Sequence, residues 1–198
     1  MPVQYPHIKH YKTKILEVAD RALECHPRTL AVRVDLHLDT DPIFGYTNLL
    51  KTFIASVDSQ VKACLKRKAK QWGQSRTNVL RYCWVEEQKD SYVPHYHVIL
   101  FFNRNVFMNL GDYDSTTSLA FIIKKAWAVA LYGKGANVLE YGRLAEIADK
   151  NGSAIYWLDK HGRYEERERF ERYAVSYLCK NKSKNISRES RSFGYSYR

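Results

Sequence analysis

Residues 78–103 read "NVLRYCWVEEQKDSYVPHYHVILFFN", and the fold turns on how this stretch is laid out. "NVLRYCWVEEQ" (78–88) and "HYHVILFFN" (95–103) are rich in β-branched and aromatic residues, with the polar segment "KDSYVP" between them. That pattern predicts an antiparallel hairpin. On a strand, residues i and i+2 project from one face with about 6–7 Å between their Cα atoms, so His95 and His97 can reach one metal ion while Tyr96 points away. Val98, Leu100 and Phe102 then belong with Tyr96 on the opposite face. The hairpin also carries Glu86 or Glu87 to the histidines. Successive residues face opposite sides, so only one of these carboxylates can complete a set of two imidazoles and one oxygen.

Working outward, "TLAVRVDLHLD" (29–39) alternates Val32, Val34, Leu36 and Leu38 with Arg33, Asp35, His37 and Asp39, the pattern of a half-buried strand with one charged face. Asp35, His37 and Asp39 on that face are candidates to support the site or to line a DNA groove. Helical spacing marks "KTKILEVADRALECH" (12–26), which Pro27 stops, and residues 50–65, where Leu50, Phe53, Ile54, Val57, Val61 and Leu65 recur. The second helix ends in "KACLKRKAKQWGQSR", whose Lys62, Lys66, Arg67, Lys68 and Lys70 are candidate contacts to a phosphate backbone. "DSTTSLAFIIKKAWAVALYGKG" (114–135) has a Ser or Thr cap, helical spacing and a glycine stop. "NVLEY" (137–141) and "SAIYWL" (153–158) read as strands around a Lys-Asn-Gly turn. "EERERFERYAVSYLCKNK" (165–182) reads as a last helix, acidic at its start and basic at its end.

Composition sets the class. A chain of 198 residues, 45% hydrophobic, suits a single globular domain, here 1–182, and the basic, serine-rich 183–198 is expected to be a flexible tail. A net charge of +11 points to a polyanionic partner. No apolar run approaches the roughly 18 residues of a spanning helix, and the first residues lack a signal-peptide core, so a cytoplasmic protein without membrane contact is expected. Cys25, Cys64, Cys83 and Cys179 form no Cys-x-x-Cys pair and read as reduced, buried small hydrophobes. "YGKGANV" lacks phosphate-loop spacing, which excludes an ATP-driven motor. His7, His10, His26 and His161 read as surface residues, and Trp72, Trp84, Trp127 and Trp157 as core packing.

On the last helix, Tyr173, Tyr177 and Lys180 form Tyr-x-x-x-Tyr-x-x-Lys and fall within about 60° of arc. A carboxylate with two histidines, a tyrosine pair and a basic surface suggest metal-assisted phosphoryl transfer on nucleic acid. A phenol with a pKa near 10 is mostly neutral at pH 7 and needs help to attack phosphorus. A divalent ion polarises the phosphate and Lys180 stabilises developing charge.

"HYH" followed by "VILFF" resembles the His-hydrophobic-His motif of the HUH endonucleases, the rolling-circle initiators and relaxases. Replication proteins of the microvirus gene A type carry a Glu eight positions before the first His and a Pro directly before it; those places hold Glu87 and Pro94. "RYAVSYLCKN" is similar to their two-tyrosine motif. The order "RVDLHL", basic helix, "RYCWVEEQ", "PHYHVIL", "VSYLCK" most resembles the prophage and inovirus replication proteins called YagK/YfjJ-like. The resemblance implies an α+β fold: an RRM-like antiparallel sheet of about five strands with flanking helices. It further implies Mg²⁺ or Mn²⁺ held by Glu87, His95 and His97, with Glu86 in reserve, and Tyr177 as first nucleophile, Tyr173 as second and Lys180 as charge stabiliser. The activity implied is nicking and strand transfer on single-stranded or hairpin origin DNA, starting rolling-circle replication of a phage, prophage or mobile element. A long initiator's helicase domain is missing, so a host helicase is expected as partner. The alternatives are a transposase or relaxase of the same superfamily, or a non-catalytic DNA-binding regulator on an RRM-like sheet.

Overall fold

The computed structural model describes residues 9–38, 48–88, 93–113, 115–147, 154–162, 164–180 and 192–197. Among them, β1 (Arg28–Leu36), β2 (Arg81–Glu87), β3 (His95–Asn103), β4 (Ala145–Glu146), β5 (Ile155–Asp159) and β6 (Phe193–Tyr195) form one open antiparallel sheet. β1 and β3 are central, and β2 then β6 extend one side. On the other edge of β1, β5 pairs with Arg28–Val32 and β4 with Asp35 and Leu36, so two short strands share one edge. β2 and β3 pair as the hairpin pattern predicts, with Glu87 opposite His95 and Val85 opposite His97. The architecture is the expected α+β, RRM-like sheet.

Both faces are covered. On one, α2 (Leu49–Trp72) and α3 (Leu119–Tyr132) pack Phe53, Val57, Ile123 and Trp127 against Tyr96, Val98, Leu100 and Phe102 of β3. On the other lie α1 (Lys9–Cys25) and a final helical segment built from α5 (Tyr164–Phe170), a π-helical turn (Glu171–Val175) and α6 (Ser176–Leu178). Their Ile15, Val18, Phe170, Val175 and Leu178 cover Ile99 and Phe101. Burial on two sides explains why "VILFF" is a continuous apolar run rather than an alternating one. It also corrects the reading of β1 as half charged: only Arg28 is exposed along that strand, and Asp35 is buried. Local signals end the helices as the sequence suggests. α1 stops before Pro27, the Phe121 N–H donates to Ser118 Oγ at 3.0 Å, and α2 runs into Gly73 at φ 65°.

Other expectations need correction. "NVLEY" is not a strand: Asn137 Oδ1 accepts the Leu139 N–H and caps a single helical turn, α4 (Val138–Tyr141), with Leu139 89% exposed. Without a buried face, propensity for a strand has nothing to pack against; the edge strand is Ala145–Glu146 instead. The Lys-Asn-Gly turn at 150–152 lies outside the described residues. The stretch 183–198 does not end as a free tail, since Phe193–Tyr195 adds β6 to the edge of β2. Gly194 permits this, because a Cβ there would sit 2.5 Å from the Trp84 ring. Trp127 is buried as expected, but Trp72 and Trp157 are exposed. His26 is buried rather than on the surface, and its Nε2 accepts the Val79 N–H at 2.9 Å. Cys64, Cys83 and Cys179 are buried and Cys25 is exposed.

Candidate metal centre and its tyrosine

His95 and His97 leave β3 on the face that α1 and the last helical segment only partly cover, and Glu87 reaches them from the facing end of β2. One ligand atom from each of the three residues lies within 4.8 Å of the others. Glu87 Oε2 is 2.6 Å from His97 Nε2 and 3.4 Å from His95 Nε2. Burial is graded: the His97 side chain is 4% exposed, His95 27% and Glu87 18%, so the site is anchored inside and open outward. Glu86, the reserve ligand, takes the other face, where burial raises its pKa and a hydrogen bond with Tyr96 partly offsets the effect. Strand parity therefore selects Glu87.

Asp35 adds what the ligand motif alone does not contain. It lies opposite His97 in the β1–β3 register, and its Oδ1 is 2.7 Å from His97 Nδ1. A carboxylate on the second ring nitrogen fixes the imidazole and leaves Nε2 for the shared site, the arrangement that supports ligating histidines. Arg33 in turn donates from Nη2 to Asp35 Oδ2 at 2.8 Å. The electrostatics follow from this chain. Burial lowers the pKa of His97, but hydrogen bonds to Asp35 and Glu87 outweigh it and raise the net value. Hydrogen bonds from His95 and His97 hold Glu87 far below the usual carboxylate range. Burial works to raise Asp35, yet His97 and Arg33 bring it below its ordinary value. His37 stacks on His95 with centroids 5.8 Å apart and faces Glu146 Oε2 at 3.5 Å. Asp39 lies outside the described residues.

Two imidazoles and one carboxylate, with a second carboxylate steadying the innermost ring, can hold a divalent metal ion. Tyr177 stands against this group: its ring meets His97 edge to face at 4.9 Å, Arg33 Cζ lies 3.6 Å from its centroid and Lys180 Nζ 4.7 Å. Burial raises the Tyr177 pKa, with the Asp35 charge adding to it and Arg33 opposing it. Tyr173 behaves differently. It lies inside the π-helical turn, where the Ser176 N–H reaches Glu171 O across five residues, and it is 41% exposed. A π-turn is wider than an α-turn and shifts the phase of the residues after it relative to a continuous α-helix, while Tyr173 itself stays on the exposed side.

The basic residues of α2 lie elsewhere. Lys68 donates to Val106 O at 3.1 Å and Arg76 binds Asn105 O, which puts the end of α2 beside the loop after β3. The triad is at the start of β3, about 27 Å away at 3.4 Å per residue, and faces the other side of the sheet. The stretch from Ser59 to Val85 contains no Asp or Glu but seven Lys and Arg. Of Lys62, Lys66, Arg67, Lys68 and Lys70, Lys62 alone pairs with a carboxylate among the described residues, Asp58 at 2.6 Å. The set is a surface of its own, remote from the metal centre.

The profile of the YagK/YfjJ C-terminal domain matches residues 3–196. The chain belongs to that family. It is 32% identical over 208 residues to YfjJ of Escherichia coli (strain K12), covering 96% of this chain and 95% of the relative. YagK of the same organism is 33% identical over 134 residues, covering 63% of this chain and 64% of the relative. Both relatives are described as uncharacterized. No solved structure matches. In this member of the YagK/YfjJ family, no described helix is long and apolar enough to cross a membrane.

Proposed function

We propose that this chain is a metal-dependent tyrosine endonuclease and strand transferase of the HUH type, acting on single-stranded or hairpin DNA. One observation carries the reading: Tyr177 packs its ring on His97, the most buried member of a Glu87, His95, His97 triad. Glu87, His95 and His97 would hold Mg²⁺ or Mn²⁺, which would supply positive charge beside the reacting phosphate. Tyr177 Oη forms the new bond to phosphorus as its proton leaves to water, and the bond from phosphorus to O3′ breaks. O3′ departs with the electron pair and is protonated to a hydroxyl. The product is a 5′-phosphotyrosine that stores the bond for rejoining. Lys180, exposed beside the ring, supplies charge to the departing or attacking oxygen. Tyr173 has no part in the first cleavage.

The remote basic end of α2 gives the DNA a second hold through its backbone. The biological role that fits is initiation of rolling-circle replication of a phage, prophage or mobile element in a bacterial cytoplasm, with strand separation left to a host helicase. The test is to incubate the protein with Mn²⁺ and a pool of labelled hairpin oligonucleotides, then look for a denaturation-resistant slower band. Tyr177→Phe removes the band and Tyr173→Phe retains it. Absence of any adduct across a broad pool refutes the nuclease and leaves a DNA-binding role.

A further inference from the structure

Arg33 touches both halves of the site. It leaves β1 on the metal face with its side chain 11% exposed, and donates to Asp35 from Nη2 at 2.8 Å and from Nε at 3.4 Å. Its Cζ lies 3.6 Å from the centre of the Tyr177 ring. We infer that Arg33 is a positioning residue for Tyr177, holding the phenol ring against His97 and tying its place to the Asp35 side of the metal centre. This rests on Tyr177 being the nucleophile.

A buried guanidinium needs a charge partner, and Asp35 provides one through two hydrogen bonds, so Arg33 is fixed from behind. A planar, weakly hydrated guanidinium stacks on an aromatic face, which an ammonium cannot reproduce. The ring centre is well within the roughly 6 Å over which a cation is attracted to a π face. Lys180 also approaches the ring, but it is exposed at the end of the helical segment and screened by water. The π-helical turn just before Ser176 gives the final helical segment an irregular approach to the site, so a clamp from β1 sets the ring where helix geometry alone does not. Asp35 bonds His97 through Oδ1 and Arg33 through both oxygens, which couples the imidazole to the position of the tyrosine.

Two variants test the inference. Arg33→Lys keeps the charge and the reach to Asp35 but loses the plane; Arg33→Ala loses both. The first readout needs neither DNA nor metal: 3-fluorotyrosine is placed at position 177 and its ¹⁹F resonance recorded. Both variants are expected to shift and broaden it. The second is the single-turnover rate of adduct formation at saturating oligonucleotide, expected to fall about 100-fold in Arg33→Ala, the loss that a misplacement of about 1 Å produces. Oligonucleotide affinity stays within about twofold. Free guanidinium ion restores part of the rate to Arg33→Ala and none to Arg33→Lys, whose side chain fills the space.

An unchanged resonance and rate in either folded variant overturns the inference; if Arg33→Ala does not fold, Arg33→Lys decides. A shifted resonance in a protein whose wild type forms no adduct upholds the positioning and refutes the nuclease. Normal adduct formation in wild type and variants alike, with the resonance unmoved, does the reverse.

Discussion

Replacing Asp35 by asparagine separates support of the metal centre from the ligands themselves. The wild-type carboxylate binds His97 Nδ1 at 2.7 Å and Arg33 Nη2 at 2.8 Å, with its side chain 9% exposed. The asparagine side chain keeps the volume and one acceptor but removes the charge that orients His97 and makes Nε2 a better donor. Loss of such a supporting contact costs roughly 10–100-fold in metal affinity, or about 1.4–2.7 kcal/mol. Arg33 is left buried without its carboxylate, a defect of about 3–5 kcal/mol when one partner of a buried pair is removed, with the retained amide oxygen favouring the lower end. At about 2–4 °C per kcal/mol for a chain of this size, 3 kcal/mol lowers the melting temperature by roughly 6–12 °C. Titration calorimetry with Mn²⁺ reads the first effect and scanning calorimetry without metal the second. Glu86→Gln is the control, because its side chain lies on the opposite face and should leave Mn²⁺ affinity unchanged. A folded Asp35→Asn protein that binds Mn²⁺ within twofold of wild type would refute the support role.

Three further perturbations address the rest of the molecule. Replacing Lys66, Arg67 and Lys70 together by glutamine should reduce the slope of log affinity for single-stranded DNA against log salt by about 2, at about 0.7 per phosphate contact, without changing Mn²⁺ affinity; an unaltered slope removes the end of α2 from the DNA surface. Gly194→Ala forces a methyl onto the Trp84 ring and should cost about 1–3 kcal/mol in thermal unfolding, whereas equal stability would mean that β6 does not pack there. His26 has a pKa lowered by burial and then by the Arg81 charge, so the unfolded chain takes up the proton first. Its contribution to stability is therefore present above about pH 6.5 and is lost as pH falls through the lower folded value. Denaturant titrations from pH 7.5 to 5 should show this loss in wild type and a flatter profile in His26→Asn; identical profiles would show that His26 is not the group responsible.

The sheet was legible because strand alternation is a local property. Two runs with a short polar link fixed the β2–β3 hairpin, and counting in twos placed His95 and His97 together, with Tyr96 opposite. The same rule chose Glu87 over Glu86 once the register was known. What failed was long-range. "NVLEY" has strand-forming residues, but nothing within five residues reveals that Leu139 will face water. The edge strand β6 is three residues inside a basic, serine-rich stretch, and the pairing that makes it a strand comes from β2, over a hundred residues earlier. His26 looked like a surface residue because its partner, the backbone of Val79, is set by the tertiary fold.

The site divides along the same line. Ligands on one hairpin are a local pattern, and so is a tyrosine three residues before a lysine. The contact between them is not, because it depends on the phase of the last helical segment, and the π-helical turn at Glu171–Val175 changes that phase by an amount no 3.6-residue count supplies. Tyr173 and Tyr177 look equivalent in sequence and part company in structure, one exposed and the other against His97. Arg33 was hidden for a related reason. In the alternation of β1 it is one more charged residue on a face that seemed to meet water, and it gains meaning only when a helix closes over that face and brings an aromatic ring onto its guanidinium. A charge on the polar side of a central strand is therefore a stronger hint of a buried network than alternation alone suggests, once the neighbouring strand reads as apolar on both sides.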